Sequence, residues 1–192
     1  MTDTADIIRG KKILLGVTGG IAIYKAVGLA SKLVQAGAEV DVVMTPAALE
    51  FAAPLLFSSL THRQVHTSRH EPDRHPGHIA LAERPDLIVI APATANTMAK
   101  IAHGLADNLL TSILLATRKT VLLAPAMNAN MWTAEATRRN LAILKGDGYR
   151  FVGPGEGNLA CGSVGKGRMA EVEEILSAME RLLAQEERKR KA

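Results

Sequence analysis

Hydrophobic residues along the chain fall into short apolar runs separated by longer stretches with helical spacing. The apolar runs predict buried strands at residues 12–17, 39–44, 86–91, 120–124 and 149–152. The intervening stretches predict helices at residues 21–36, 46–60 (one or two short helices interrupted by Pro54), 97–117, 131–145 and 171–185. Residues 154–168 are rich in glycine and are expected to form a loop. Strands that alternate with such helices predict parallel βαβ units, and therefore a single-domain α/β fold: a three-layer, doubly wound parallel sheet of the Rossmann or flavodoxin type.

Length and composition narrow the class of protein. A chain of 192 residues, 47% hydrophobic, can bury the core of one domain. No apolar run approaches the roughly 18 residues of a membrane span, and the first ten residues lack the architecture of a signal peptide. The single cysteine, Cys161, excludes an intramolecular disulfide. We therefore expect a cytoplasmic protein without a membrane partner.

The basic charge of the chain is concentrated at its end. The net charge is +4, and Arg188, Lys189, Arg190 and Lys191 account for four of the 23 basic residues, which leaves 19 against 19 acidic ones. A nucleic-acid-binding protein carries its basic excess on a folded face, so no nucleic-acid partner is expected. We predict a domain at residues 1–185 and a basic tail at residues 186–192, either a solvated, frayed end or a linker.

Two glycines join the first predicted strand to the first predicted helix. The sequence Thr18-Gly19-Gly20-Ile21 lets the backbone approach an anion, and the helix N-terminus supplies amides to bind it. The spacing matches neither the dinucleotide fingerprint nor the P-loop. A mononucleotide such as FMN therefore fits better than NAD or ATP. The alternative is a tight strand–helix turn without a ligand.

Further polar loops follow the second and third predicted strands. Small side chains leave room for a ligand, and polar ones offer hydrogen bonds; the residues are Thr45, Thr94, Ala95, Asn96 and Thr97. Alternatively, Asn96 and Thr97 cap a helix that starts at Met98. Loops at the carboxyl ends of parallel strands meet at one edge of the sheet, and their convergence favours a binding site.

The loop at residues 125–132 reads Pro-Ala-Met-Asn-Ala-Asn-Met-Trp and follows the fourth predicted strand. Ala126, Asn128 and Met131 combine an amide with apolar groups, as a small-molecule pocket requires. The alternative is that Asn128 or Asn130 caps a helix from about Met131.

Histidine and cysteine are the candidate catalytic residues. His78 stands just before the third predicted strand and can act as an acid or a base near neutral pH; the alternative is a surface histidine. Cys161, in a glycine-rich stretch near Lys166 and Arg168, suggests a mobile flap that carries a reactive thiol; the alternative is an incidental cysteine.

Three further histidines invite a metal hypothesis. His62, His66 and His70 recur every four residues, but no cysteine or well-spaced carboxylate completes a tetrahedral set. No metal site is predicted.

Several of these strings, taken in order, resemble the homo-oligomeric flavin-containing cysteine decarboxylases. The most specific is Pro-x-Met-Asn-x-x-Met-Trp at residues 125–132. The others are Thr18-Gly19-Gly20-Ile21, residues 77–79, 93–97 and 107–110, and Leu159-Ala160-Cys161-Gly162 with residues 165–169. The resemblance runs from about residue 11 to residue 183, nearly the whole chain.

The resemblance implies a carboxy-lyase that uses FMN to decarboxylate a small molecule, 4′-phosphopantothenoylcysteine, to 4′-phosphopantetheine in coenzyme A biosynthesis. It implies that His78 and Cys161 are catalytic. Implied substrate-binding residues are Asn128, which holds the substrate carboxylate, with Met131, Ala160 and Gly162. Implied cofactor-binding residues are Gly19, Gly20, Ile21, Thr45, Thr94, Ala95, Asn96, Thr97 and Ala126.

The resemblance also implies self-association as a trimer or a dodecamer, with the flavin site at the subunit interface. A phosphopantothenate–cysteine ligase, fused or separate, is a further expected partner. The first alternative is a peptidyl-cysteine decarboxylase acting on a lantibiotic precursor. The second is a non-catalytic regulatory subunit with the flavin fold, and relatives of that kind have lost the histidine or the cysteine.

Overall fold

The computed structural model describes residues 7–68, 77–158, 162 and 164–191. Six parallel strands form the main sheet, in the order β3-β2-β1-β4-β5-β6. Their bounds are β1 Lys12–Val17, β2 Glu39–Met44, β3 Val65–His66, β4 Leu87–Ala93, β5 Val121–Pro125 and β6 Arg150–Phe151. This order is that of a doubly wound sheet, and the predicted fold class is confirmed.

Helices connect the strands and cover both faces of the sheet. They are α1 Ile23–Gln35, α2 Pro46–Leu49, α3 Pro54–Thr61, α4 His78–Glu83, α5 Ala95–Ala102, α6 Leu109–Ala116, α7 Ala129–Thr133, α8 Glu135–Gly146 and α9 Val172–Lys191. Within the described part of the chain, no helix combines the length and the apolarity that a membrane crossing requires.

The core has two layers because successive strand side chains point to opposite faces of the sheet. Leu15 and Val17 of β1 pack into one cluster with residues of α1 and α9, such as Leu29 and Met179. Leu14 packs into the other cluster with residues of α5, α6 and α8. The four central strands, β1, β2, β4 and β5, are buried on both faces over nearly all of their length, which explains why they read as nearly continuous apolar runs.

The predicted helix at residues 97–117 is two helices, α5 and α6. The chain leaves α5 at Gly104, whose φ of +67° favours glycine. It enters α6 through Asn108, which accepts a hydrogen bond from the Thr111 N–H at 3.1 Å and completes a capping box.

The glycine-rich segment is a β-hairpin, so the prediction of a loop at residues 154–168 is wrong. Strand β7 (Gly155–Asn158) pairs antiparallel with β8 (Val164–Arg168). The hairpin lacks the regular apolar alternation that marks a strand in sequence.

Helix α9 continues through the basic segment to Lys191, beyond the predicted helix end at residue 185. Lys11 Nζ forms an ion pair with Glu187 at 2.5 Å, and Thr120 Oγ1 donates to Glu186 at 3.1 Å. These contacts hold the last turns against the start of β1 and β5. The domain boundary at residue 185 stays a prediction.

Candidate functional site

A cavity of about 870 Å³ opens at the carboxyl edge of the sheet, where loops from β1, β2, β4 and β5 meet. The strand order reverses between β1 and β4: β1 is followed by β2 on one side of the sheet, and β4 is followed by β5 on the other. The cavity lies at this position, where doubly wound sheets bind ligands. Its volume falls within the roughly 300–1,000 Å³ of small-molecule sites. All the residues predicted to bind a cofactor line it, together with Asn128 and Met131.

The loop after β1 fits close to the loop after β2. A Cβ on Gly19 would lie 2.6 Å from the carbonyl oxygen of Ala47, so only glycine permits this approach. Helix α1 then begins with no side-chain cap, and the Ile23 and Lys25 N–H groups donate to the carbonyls of Gly20 and Ala22 at 3.0 Å. An anion at Gly20 and Ile21 would therefore meet the backbone of the loop before the helix. This arrangement suits a phosphate group.

Threonines both cap helices and line the cavity. Thr45 caps α2 by accepting from the Ala48 N–H at 3.3 Å, and Thr94 caps α5 by accepting from the Thr97 N–H at 3.3 Å. The prediction that Asn96 or Thr97 is the cap is therefore wrong, because α5 begins at Ala95. Capping and ligand binding are not exclusive alternatives here.

Thr18, which was not predicted as a site residue, joins two of the loops. It is almost fully buried, and its Oγ1 donates to the carbonyl of Pro92 at 2.6 Å. The same oxygen accepts from the Thr94 N–H at 3.2 Å. The hydroxyl therefore fixes the distance between the loops after β1 and β4. Its position beside Gly19 was the only signal in the sequence.

Asn128 occupies the start of the third loop. It caps α7, because its Oδ1 accepts from the Asn130 N–H at 2.8 Å, as the capping alternative predicted. The adjacent Met127 N–H donates to the carbonyl of Gly167 at 3.0 Å. The hairpin is therefore docked directly against the loop that carries Asn128.

Charged residues also line the cavity, and sequence analysis missed Lys25, Lys100 and Asp107. Lys100 donates to Asp107 Oδ2 at 2.5 Å, and this hydrogen bond holds the pKa of the Asp107 carboxyl below its ordinary value. Arg168, whose role the sequence left open, lines the cavity from β8.

Two predicted residues lie away from the cavity in a single chain. His78 is the exposed first residue of α4, and Gly162 is exposed with a φ of +83°; neither lines the cavity. Cys161 and Ala160 lie outside the described residues. Among the described residues no metal-binding cluster occurs, and His70 lies outside them, so the absence of metal stays a prediction.

The lining of the cavity combines polar and apolar groups. The glycine loop at Gly19 and Gly20 offers backbone to a phosphate, and Thr45, Thr94 and Asn96 offer polar side chains. Apolar side chains of Ile21, Tyr24, Met127 and Met131 form part of the wall. A planar, amphipathic ring and a phosphate are the groups that this lining would accept.

Comparison with known proteins places the chain in a family. The Flavoprotein family profile matches residues 2–184. The chain belongs to the Flavoprotein family, which confirms the resemblance read from the motifs and supports a flavin cofactor.

Among curated relatives, the coenzyme A biosynthesis bifunctional protein CoaBC of Bacillus subtilis (strain 168) is 48% identical over 183 residues, which are 94% of this chain and 45% of that protein. The chain thus spans less than half the length of this relative. The probable phosphopantothenoylcysteine decarboxylase of Streptococcus mutans is 43% identical, over 90% of this chain and 99% of the relative.

Among solved structures, a PPC decarboxylase mutant complexed with pantothenoylaminoethenethiol superposes with a TM-score of 0.80 at 36% identity, over 92% of this chain and all of that one. The FMN-dependent cysteine decarboxylase SpaF gives a TM-score of 0.79 at 32% identity, over 93% of this chain and 98% of that one.

Proposed function

We propose that this chain is an FMN-dependent carboxy-lyase that converts 4′-phosphopantothenoylcysteine to 4′-phosphopantetheine. The main support for the proposal is that every residue predicted to bind the cofactor lines the same cavity as Asn128 and Met131. The S. mutans relative, of nearly the same length, is named as a probable enzyme of this kind, which supports the substrate.

The loops after β1, β2 and β4 would hold FMN, with its phosphate at Gly19 and Gly20. When bound, FMN supplies a reversible two-electron acceptor, which lets the substrate's thiol carbon be oxidised so that the electrons left by departing carbon dioxide are stabilised. The protein's task is to position the substrate and to move protons.

Asn128 would hold the substrate carboxylate. Its Oδ1 is engaged by the Asn130 N–H, which orients the side-chain amide. We propose that Asn128 Nδ2 donates to the substrate carboxylate when the substrate binds. Met131, half exposed beside it, would contribute apolar contact to the substrate.

His78 would assist the oxidative decarboxylation, and Cys161 would protonate the enethiol product in the reductive half. Because His78 lies outside the cavity of its own chain, we propose that a neighbouring copy brings its own His78 to the site. The exposed pair His78 and Ile79 supports this arrangement, since Ile79 leaves half of its side chain accessible. A trimer, alone or assembled into a dodecamer, would provide such a neighbour.

The bifunctional B. subtilis relative supports a ligase partner, either fused to this domain or acting separately. The substrate would be the product of that ligation.

The experiment is product analysis with the flavin-loaded protein. Phosphopantothenoylcysteine and a peptide ending in cysteine are offered separately, and products are analysed by mass spectrometry. We expect loss of carbon dioxide from phosphopantothenoylcysteine and formation of phosphopantetheine. Conversion of the peptide alone would assign the peptidyl-cysteine decarboxylase function, and conversion of neither would refute a decarboxylase.

A complementation experiment tests the shared site. His78→Asn and Asn128→Asp chains, each expected to be inactive alone, are co-expressed. Mixed oligomers should regain activity, because one subunit supplies His78 to a neighbour that carries Asn128. Failure of mixed oligomers to regain activity would contradict a site shared between copies.

A further inference from the structure

A buried ammonium lies in the wall of the cavity. Lys25, on the first turn of α1, is only 6% exposed, and its Nζ donates to the carbonyl of Met169 at 2.9 Å and to Glu171 Oε1 at 3.0 Å. A buried charge is stable only when paired and hydrogen-bonded. The start of α9 and the end of the hairpin therefore depend on Lys25 for their place beside the cavity.

Glu171 Oε1, which accepts from Lys25, also forms an ion pair with Arg168. Arg168 Nη2 lies 2.7 Å from Glu171 Oε1, and the two side chains are 43% and 48% exposed. On its other side Arg168 lies over β7, where a Cβ on Gly157 would come within 3.2 Å of Nη1. Glu171 is thus the common acceptor of Lys25 and Arg168, and it restricts where the guanidinium can point.

Arg168 has donors to spare for a ligand. A guanidinium carries five N–H groups in a rigid fork. Among the described residues, the contact with Glu171 involves one of its two terminal nitrogens. The remaining donors belong to a half-exposed group in the wall of the cavity that the glycine loop also lines. A fork of this kind matches a phosphate oxygen pair.

We propose that Glu171 is a positioning residue that aims Arg168 at the phosphate monoester of the substrate. This inference rests on the proposed function for the identity of the substrate. It makes Arg168 the contact that distinguishes a phosphorylated pantothenoyl compound from its unphosphorylated form, and it makes Glu171, together with buried Lys25, the support that keeps Arg168 in place.

The test compares binding of two probes, 4′-phosphopantetheine and pantetheine, to the flavin-loaded protein by calorimetry. The wild-type protein should prefer the phosphorylated probe. Arg168→Gln should reduce that preference about tenfold, as expected for a lost charge-assisted pair. Glu171→Asp keeps the negative charge, but its side chain is one methylene shorter and cannot contact both Lys25 and Arg168. It should reduce the preference for the phosphorylated probe about threefold.

The matched control is Glu173→Asp. Glu173 lies in the first turn of α9, two residues after Glu171, and pairs with exposed Lys32 at 3.1 Å; it does not line the cavity. Glu173→Asp should leave the preference for the phosphorylated probe unchanged.

Three results would overturn the inference. The first is a wild-type protein without preference for the phosphorylated probe. The second is an equal loss for both probes in Glu171→Asp, which would mean a merely structural role. The third is weaker binding of FMN but not of riboflavin in Arg168→Gln, which would assign the guanidinium to the flavin phosphate. Failure of the proposed function itself would appear separately, as absence of carbon dioxide release from phosphopantothenoylcysteine.

Discussion

Gly167 is the residue at which the hairpin approaches the Asn128 loop most closely, and its replacement by alanine should separate the two. A Cβ on Gly167 would lie 2.2 Å from the carbonyl oxygen of Met127, and its φ of +153° disfavours any L side chain. Such contacts essentially do not occur below 3.0 Å, so the backbone would have to move by about 0.8 Å. The hydrogen bond from the Met127 N–H to the Gly167 carbonyl, now 3.0 Å, would be lost.

The magnitude follows from these two effects. A non-glycine residue held in this region of φ costs about 1–3 kcal/mol, and a lost backbone hydrogen bond costs about 1 kcal/mol. Docking of the hairpin should therefore weaken by about 2–4 kcal/mol. Because the hairpin carries Arg168 and adjoins Asn128, affinity for substrate should fall along with stability.

The assay pairs urea unfolding with measurement of KM for phosphopantothenoylcysteine. Gly155→Ala is the matched control, since a Cβ there meets nothing closer than the Arg168 carbonyl at 3.8 Å and the residue has no left-handed φ. We expect Gly167→Ala to lower the unfolding free energy and to raise KM at least tenfold, with Gly155→Ala near wild type in both. Wild-type values of both quantities in Gly167→Ala would refute the close approach.

Further predictions concern single side chains. His78→Asn should keep flavin bound but stop carbon dioxide release, and Asn128→Asp should do likewise by repelling the substrate carboxylate; near wild-type turnover in either variant would contradict its role. Cys161→Ser should accumulate an oxidised product two hydrogens lighter than phosphopantetheine in mass spectrometry, because a serine hydroxyl is a far weaker acid than a thiol of pKa about 8.5; normal product would remove the thiol from catalysis. Because the hydrogen bond from Lys100 lowers the pKa of the Asp107 carboxyl, their contact should persist above the ordinary carboxyl pKa and be lost as pH falls through the lowered pKa. NMR titration of the Asp107 carboxyl should show the lowered pKa. An unchanged Asp107 pKa in Lys100→Gln would mean that Lys100 is not its cause.

The centre of the sheet was predictable from the sequence because β1, β2, β4 and β5 are buried on both faces. The bounds of β1 and β2 match the predicted runs, and the loops that follow the strands supply the site. The short elements were missed for a physical reason: β3 has two residues and α4 has six, too few to establish a hydrophobic period.

The charged part of the site could not be predicted, because it depends on tertiary contacts. Lys25 meets the Met169 carbonyl across 144 positions of sequence. Nothing in the local pattern of α1 distinguishes this lysine from one exposed to solvent. Likewise Asn96 is the better cap by residue type, and only the geometry of the loop after β4 selects Thr94.

The most direct test of the account is a single turnover under anaerobic conditions. Flavin-loaded protein is mixed with one equivalent of phosphopantothenoylcysteine, and the absorbance of oxidised flavin is followed while carbon dioxide is trapped. The account predicts one equivalent of carbon dioxide, with flavin absorbance that falls transiently and returns as phosphopantetheine forms, because the net reaction is not a redox reaction. Carbon dioxide release without any change in flavin absorbance, or no release from a flavin-loaded protein, would contradict it.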